Sequence, residues 1–220
     1  MGIQDFGPNF SLEKFYRARD RARDLTFELA SRIRPGMVEE EAHRLYKDLS
    51  RKFGAEKQWH PPKLRFGPNT LKNFRDPSDP YVLKDEDLFF IDIGPVFEGH
   101  EADYGETFTT GKAFDHLNVA ATSKTVFEEV RDFWKEHRST GKELYDFAEG
   151  RARHYGYHLN LGNDGHRLAD FPHALIHKGG LGVCEEVVVP NAWILEIHLW
   201  NEPRTFGAFF EDILTDTPLS

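Results

Sequence analysis

Sulfur is scarce in this chain. Of 220 residues one is cysteine, Cys184, so no intrachain disulfide can form. That suits a reducing compartment. The opening residues, Met1-Gly-Ile-Gln-Asp-Phe6, offer neither the basic nor the apolar segment of a secretory leader. No apolar run approaches the ~20 residues that a bilayer span needs. Positive charge is in deficit as well, with 28 Lys and Arg against 37 Asp and Glu and a net charge of −9. Such a surface argues against nucleic acid and against an anionic membrane as partner. Internal repeats, low-complexity tracts and Ser/Gly linkers are also missing. The expectation is a cytoplasmic protein built as one domain over residues 1–220.

What is present fits a globular chain: 39% hydrophobic residues, 30% charged, and nineteen Phe that predict an aromatic-rich core. Residues 11–33 predict a helix, with Ser11 as N-cap, Glu13 in the first turn, and Phe15, Ala18, Ala22, Leu25, Phe27 and Leu29 at near-helical spacing. Pro35-Gly36 ends it. A second helix is expected from Glu39 to Phe53, closed by Gly54. Residues 55–86, rich in Pro, Asn, Asp and Lys, predict an irregular stretch with short strands. Asp87 to Gly94 is a buried-strand pattern, Glu98-Gly99 a turn, and Ala102 to Thr110 a return strand. Helices are expected at 117–137 and 141–154, and strands at Ala192–Leu199 and Gly207–Leu214. This order predicts an α+β fold, helices backing a largely antiparallel sheet.

Carboxylates interrupt the apolar strands. Asp92 sits between Ile91 and Ile93, Glu196 within Trp193-Ile-Leu-Glu-Ile-His-Leu-Trp200, and Glu211 within Ala208-Phe-Phe-Glu-Asp-Ile-Leu214. An unpaired charge in a buried strand costs several kcal/mol, roughly, so each needs a partner. Asp103 follows Asp92 by eleven residues, and a hairpin turning at Glu98-Gly99 would bring the two together. Neighbouring carboxylates need a shared proton or a cation. With His177, which precedes the loop Lys178-Gly-Gly-Leu-Gly182, these four carboxylates suit two divalent ions, Mn, Fe or Co, with Zn also within reach. The glycine-rich loop lacks the strand–loop–helix setting and the Lys-Ser/Thr ending of a phosphate cradle.

Phe90-Ile-Asp-Ile-Gly94 followed by Gly99-His-Glu-Ala-Asp-Tyr-Gly-Glu-Thr-Phe108 resembles the two-Asp motif of the M24 metallopeptidases, the "pita-bread" family of methionine aminopeptidases, prolidases, Xaa-Pro aminopeptidases and creatinases. Phe171-Pro-His-Ala-Leu-Ile-His177-Lys-Gly-Gly-Leu-Gly182 is similar to the histidine motif of the prolidase branch. Leu195-Glu196-Ile197 and Phe210-Glu211-Asp212 are similar to the two later Glu motifs, and Arg34 to Glu41 to the family's helix-linking segment. The resemblance runs from about residue 14 to 216.

It implies a curved antiparallel sheet backed by helices, in the pita-bread (creatinase/aminopeptidase) manner. It also implies metal ligands at Asp92, Asp103, His177, Glu196 and Glu211, with Asp103 and Glu211 bridging two divalent ions that activate water. The activity implied is that of an aminopeptidase or Xaa-Pro dipeptidase on short peptides. Alternatives are C–N hydrolysis of a small amide or amine, a lyase reaction, or binding without turnover. A homodimer is the assembly that the family suggests.

Two substrate-handling histidines of the family look replaced. Counted seven residues from His177, Cys184 takes the place of one. Phe74 takes the place of the other, with His60 and His43 as imidazoles that folding could bring there. Glu196, His173 and Cys184 are the candidates for catalytic contacts. As a nucleophile Cys184 lacks a base nearby in sequence, and a lone cysteine is more often a small core residue. His166 and His198 fall near the ligand motifs, and the sequence assigns neither.

Overall fold

Ser11 opens the first helix, its hydroxyl accepting from the Lys14 N–H, and α1 runs over Leu12–Ala30 with Glu13 in its first turn. The computed structural model describes residues 2–175 and 177–218. Met1, Ile176, Leu219 and Ser220 lie outside the described residues, Ile176 falling inside the expected histidine motif. Helix α2 (Glu39–Lys52) follows, and then a stretch holding β1 (Lys57–Gln58), β2 (Lys63–Phe66) and a 3-10 turn at Gly67–Leu71. Next come β3 (Leu88–Ile93), β4 (Pro95–Phe97), β5 (His100–Glu101) and β6 (Tyr104–Thr109). Helices α3 (Phe114–His137) and α4 (Gly141–His154) precede β7 (Tyr157–Leu159), β8 (His166–Arg167), β9 (Trp193–Asn201) and β10 (Gly207–Ile213). A capping box starts α4: Thr140 N–H donates to Glu143 Oε2 at 2.8 Å, and Glu143 N–H to Thr140 Oγ1 at 3.3 Å.

The main sheet runs β2-β3-β6-β10-β9-β7, with β8 also on β9, and every pairing is antiparallel. The α+β expectation is met. Residues alternate between its two faces. Phe89, Ile91 and Ile93 of β3 pack with α1 and α2. Leu195, Ile197 and Leu199 of β9, with Ala208 and Phe210 of β10, pack with α3 and α4. One sheet face therefore meets the helices. The opposite face carries Asp92, Glu196 and Glu211.

The single hairpin expected between Asp92 and Asp103 is divided in two. Glu98 and Gly99 do turn the chain, at φ of 51° and 71°, but they close β4 onto β5. That pair leaves the main sheet and joins β1 in a three-stranded sheet. β3 then pairs with β6 beyond the excursion, with Asp92 opposite Gly105.

Adjacent acids on β10 face opposite ways. Glu211 points to the open face. Asp212 points to the helices, where the Arg19 guanidinium of α1 donates to both its oxygens, at 3.0 and 2.5 Å. The buried fork ties α1 to β10 and specifies which of the two acids faces the helices.

Candidate metal centre

Strand register builds a row of carboxylates. Asp92 lies opposite Gly105, Gly105 opposite Glu211, and Glu211 opposite Glu196. Opposed residues of an antiparallel pair share a face. Asp103, two residues before Gly105, projects from that same face. Gly105 is the gap that lets the row close, since a Cβ there would stand 2.6 Å from Glu211 Oε1 and 2.6 Å from Phe209 Cε1.

Two imidazoles complete the cluster. His166 Nε2 is 2.9 Å from Asp103 Oδ2 and 3.6 Å from Glu196 Oε1. His60 Nε2 is 3.4 Å from Asp103 Oδ1 and 3.5 Å from Asp92 Oδ1. Gly94 gives His60 its room, because a Cβ there would meet His60 Cδ2 at 2.0 Å. The far nitrogens of both rings are committed. His60 Nδ1 is 2.9 Å from the Pro61 carbonyl and His166 Nδ1 is 2.8 Å from the Arg167 carbonyl. A carbonyl only accepts, so each Nδ1 carries a hydrogen and each Nε2 is turned to the carboxylates.

Crowding shifts these groups in opposite directions. Burial pushes Asp92 up to about 6, with Asp103 adding to it against His60. Burial, with the neighbouring Asp92 and Asp103, pushes Glu196 up to about 8. Glu211 rises well above the carboxylate range, from burial and from the charges of Asp103 and Asp92. Asp103 is the exception: burial opposes its charge, but His60 and His166 hold it down to about 2. Burial also opposes charge on the imidazoles, yet Asp92 and Asp103 raise His60 to about 9, and Asp103 raises His166 to about 9. Raised proton affinity is what carboxylates crowded in a low-dielectric site show when no cation balances them.

The residues fit a divalent cation. Buried Glu211 Oε1 has no hydrogen-bond partner. Ligand atoms of His60, Asp92 and Asp103 lie within 4.8 Å of one another, as do those of Asp103, His166 and Glu211. The two groups share Asp103. Carboxylate oxygen with imidazole nitrogen is a donor set for hard or borderline divalent ions.

A second layer holds the first. Trp59 Nε1–H donates to the Ala102 carbonyl at 2.9 Å, and its ring meets those of His60, His166 and His173 at 4.3, 4.8 and 5.0 Å. Glu101 accepts from the His173 backbone N–H at 3.0 Å and from its Nδ1 at 2.5 Å. The Tyr145 hydroxyl of α4 donates to the Glu196 carbonyl at 3.0 Å and accepts from the Glu196 N–H at 3.2 Å.

Of the residues expected at the site, Asp92, Asp103, Glu196 and Glu211 come together, and His173 lies beside them. His177 does not. Its ring packs on Trp193 at 5.8 Å, and Trp193 belongs to the helix-facing core. His166 takes the position expected for it. The seven-residue count then moves too: from His166 it ends on His173 rather than Cys184. Cys184 is buried in the helix-side core with its Sγ 3.6 Å from the Glu186 carbonyl, and burial raises its thiol, which makes it a packing residue. Phe74 does line the site, its ring 5.5 Å from that of His60. His60, named beforehand only as a stand-in, is in direct reach of two carboxylates, whereas His43 stays on α2.

A cavity of about 290 Å³ opens over the cluster. Phe74, Phe90 and Phe209 give it apolar wall, Lys63, Arg75 and Lys178 positive charge, and Asp164 negative charge. Among the described residues, no helix is long and apolar enough to cross a membrane.

Comparison with known proteins gives a profile match to metallopeptidase family M24 over residues 13–215. No curated protein matches the sequence significantly. Among solved structures, the chain is similar to an X-Pro aminopeptidase from Thermotoga maritima MSB8, with TM-score 0.73, 22% identity, and coverage of 99% of this chain and 64% of that one. It is similar to the prolidase from Pyrococcus horikoshii OT3, with TM-score 0.75, 20% identity, and coverage of 98% and 62%. It is also similar to a methionine aminopeptidase from Thermotoga maritima, with TM-score 0.74, 14% identity, and coverage of 96% and 95%. The chain thus spans under two thirds of the first two and nearly all of the third. The shared architecture is the pita-bread fold.

Proposed function

Because this chain belongs to metallopeptidase family M24, we propose that it is a hydrolase of short peptides, an aminopeptidase or Xaa-Pro dipeptidase, built as one catalytic domain over residues 1–220. Asp92, Asp103, His166, Glu196 and Glu211 would hold two divalent ions, Mn, Fe or Co. The observation that carries this reading is the row of opposed carboxylates with a buried, partnerless oxygen on Glu211. Four such groups on one sheet face destabilise a fold that does not use them.

The ions, when bound, would activate a water molecule and polarise the scissile carbonyl. The remaining work falls to side chains of this chain. Glu196 is more accessible than its neighbours in the cluster, with 13% side-chain exposure against 10% for Asp92 and 1% for Asp103, and is the base placed to take the proton of the attacking water. His173, with Nδ1 engaged by Glu101, keeps Nε2 for a substrate oxygen or the leaving amine. The aromatic wall excludes water, and the charges of Lys63 and Asp164 on one cavity suit the two charged ends of a short peptide. His173 at the seven-residue position removes one ground for altered chemistry.

The test is hydrolysis of a panel of dipeptides carrying proline or methionine, by protein loaded with Mn, Fe or Co. Release of free amino acid, lost on chelation, is expected. Silence across the panel in protein that demonstrably holds metal would sink the peptidase reading.

A further inference from the structure

His60 stands apart from the five residues assigned above, yet it is as close to the carboxylates as a ligand would be. Its Nε2 lies 3.4 Å from Asp103 Oδ1 and 3.5 Å from Asp92 Oδ1, while His166 meets the other Asp103 oxygen. The residue is 8% exposed and its ring is held by several neighbours. Pro61 accepts from Nδ1, Trp59 meets it edge-on at 4.3 Å, Phe74 at 5.5 Å, and the missing side chain of Gly94 leaves its berth. A hydrogen fixed on Nδ1 by a backbone carbonyl is the arrangement that aims an imidazole Nε2 lone pair at a metal. The same arrangement recurs at His166 with Arg167.

We propose that His60 is a sixth protein ligand, so that each of the two ions is held by its own imidazole: His60 with Asp92 and Asp103 for one, His166 with Asp103 and Glu211 for the other. This rests on the two-ion reading above and extends it. Nitrogen at both positions biases the pair toward Fe, Co or Zn over Mg and Ca, which prefer oxygen alone.

The experiment is proton NMR of the full chain loaded with Co(II), read alongside cobalt stoichiometry. Imidazole N–H protons on a cobalt-bound ring shift far outside the ordinary spectrum and exchange with solvent. A pair of such signals is expected in the unaltered protein, with one remaining in His60→Gln and the other in His166→Ala. His60→Gln should also weaken one cobalt by at least the roughly 10–100-fold seen when a group behind a ligand is lost. A single shifted N–H in the unaltered, fully loaded protein overturns the role of His60 and leaves the hydrolase reading standing. Absence of cobalt binding overturns both. The spectrum of the unaltered protein decides the matter even where a variant fails to fold.

Discussion

Glu196 and Glu211 lie directly opposite each other on adjacent antiparallel strands, side chains on one face, with burial raising the affinity of both for protons. Like charges so placed destabilise a sheet unless something neutralises them. In chelator-treated protein that role falls to protons. Glu196, ordinarily titrating at 4.5, keeps its proton to about 8, and His60 and His166, ordinarily at 6.5, keep theirs to about 9. The folded state then binds more protons than the unfolded state across this range, so stability falls as pH rises through it. Calorimetry of metal-free protein should show a lower melting temperature at pH 8 than at pH 6, and saturating Co or Mn should raise the pH 8 value more. A metal-free melting temperature that climbs from pH 6 to pH 8 contradicts this.

The two histidines that compete for the ligand position separate cleanly by mutation. His166→Ala should bind less metal, as measured by elemental analysis after dialysis, because its Nε2 lies 2.9 Å from Asp103. His177→Ala, altering a ring packed on Trp193, should keep the full complement. The reverse result would return His177 to the centre.

These histidines mark where legibility in the sequence ends. Asp92, Glu196 and Glu211 could be found because each breaks an apolar strand pattern, which is a local signal. The helix at 141–154 was equally plain. His166 lies on a two-residue strand among polar neighbours and has no periodicity to break. It reaches the cluster only because it pairs with Ile194 on β9, a partner far along the chain. The hairpin between Asp92 and Asp103 keeps its expected turn and return strand, but its excursion was hidden for the same reason. The β4–β5 excursion is drawn aside by β1, whose own sequence shows no strand pattern. Gly94 and Gly105 matter through the side chains they leave room for, and those arrive from other segments.

Gly105→Ala tests the gap in the row. The added methyl would stand 2.6 Å from Glu211 Oε1. Denaturant unfolding should show a loss of about 1–3 kcal/mol, as for other overpacked interiors. Metal affinity, followed by calorimetric titration, should fall with it. Unchanged affinity would mean that Glu211 has no fixed position in the centre.

His198 supplies an acid-sensitive element behind the site. Asn160 and Asn163 both donate to its Nδ1, at 3.1 and 2.9 Å, while its Nε2–H donates to the Thr70 carbonyl at 2.7 Å. Burial lowers it from 6.5 to about 4, so the folded state takes its proton late. Its contribution is complete above pH 6.5 and is lost as pH falls toward 4, amounting to about 3 kcal/mol. His198→Gln keeps an acceptor and a donor without a titrating ring. Across that window its stability should fall less steeply than that of the unaltered protein in urea titrations, and parallel curves would count against the idea.

The join between β6 and β10 divides the chain's contributions. Asp92 and Asp103 come from before it, and Glu196, Glu211 and His166 from after it. The Thr107 hydroxyl helps to bridge it, donating to the Phe209 carbonyl and accepting from the Phe209 N–H. A cation lodged there would act as a rivet between the two sets of ligands, and on its withdrawal this is the seam where the sheet would first part. Chain cut in the connection near Lys112 would leave two fragments, each with part of a socket and neither able to grip an ion well alone. Their reunion would then be governed by the supply of metal.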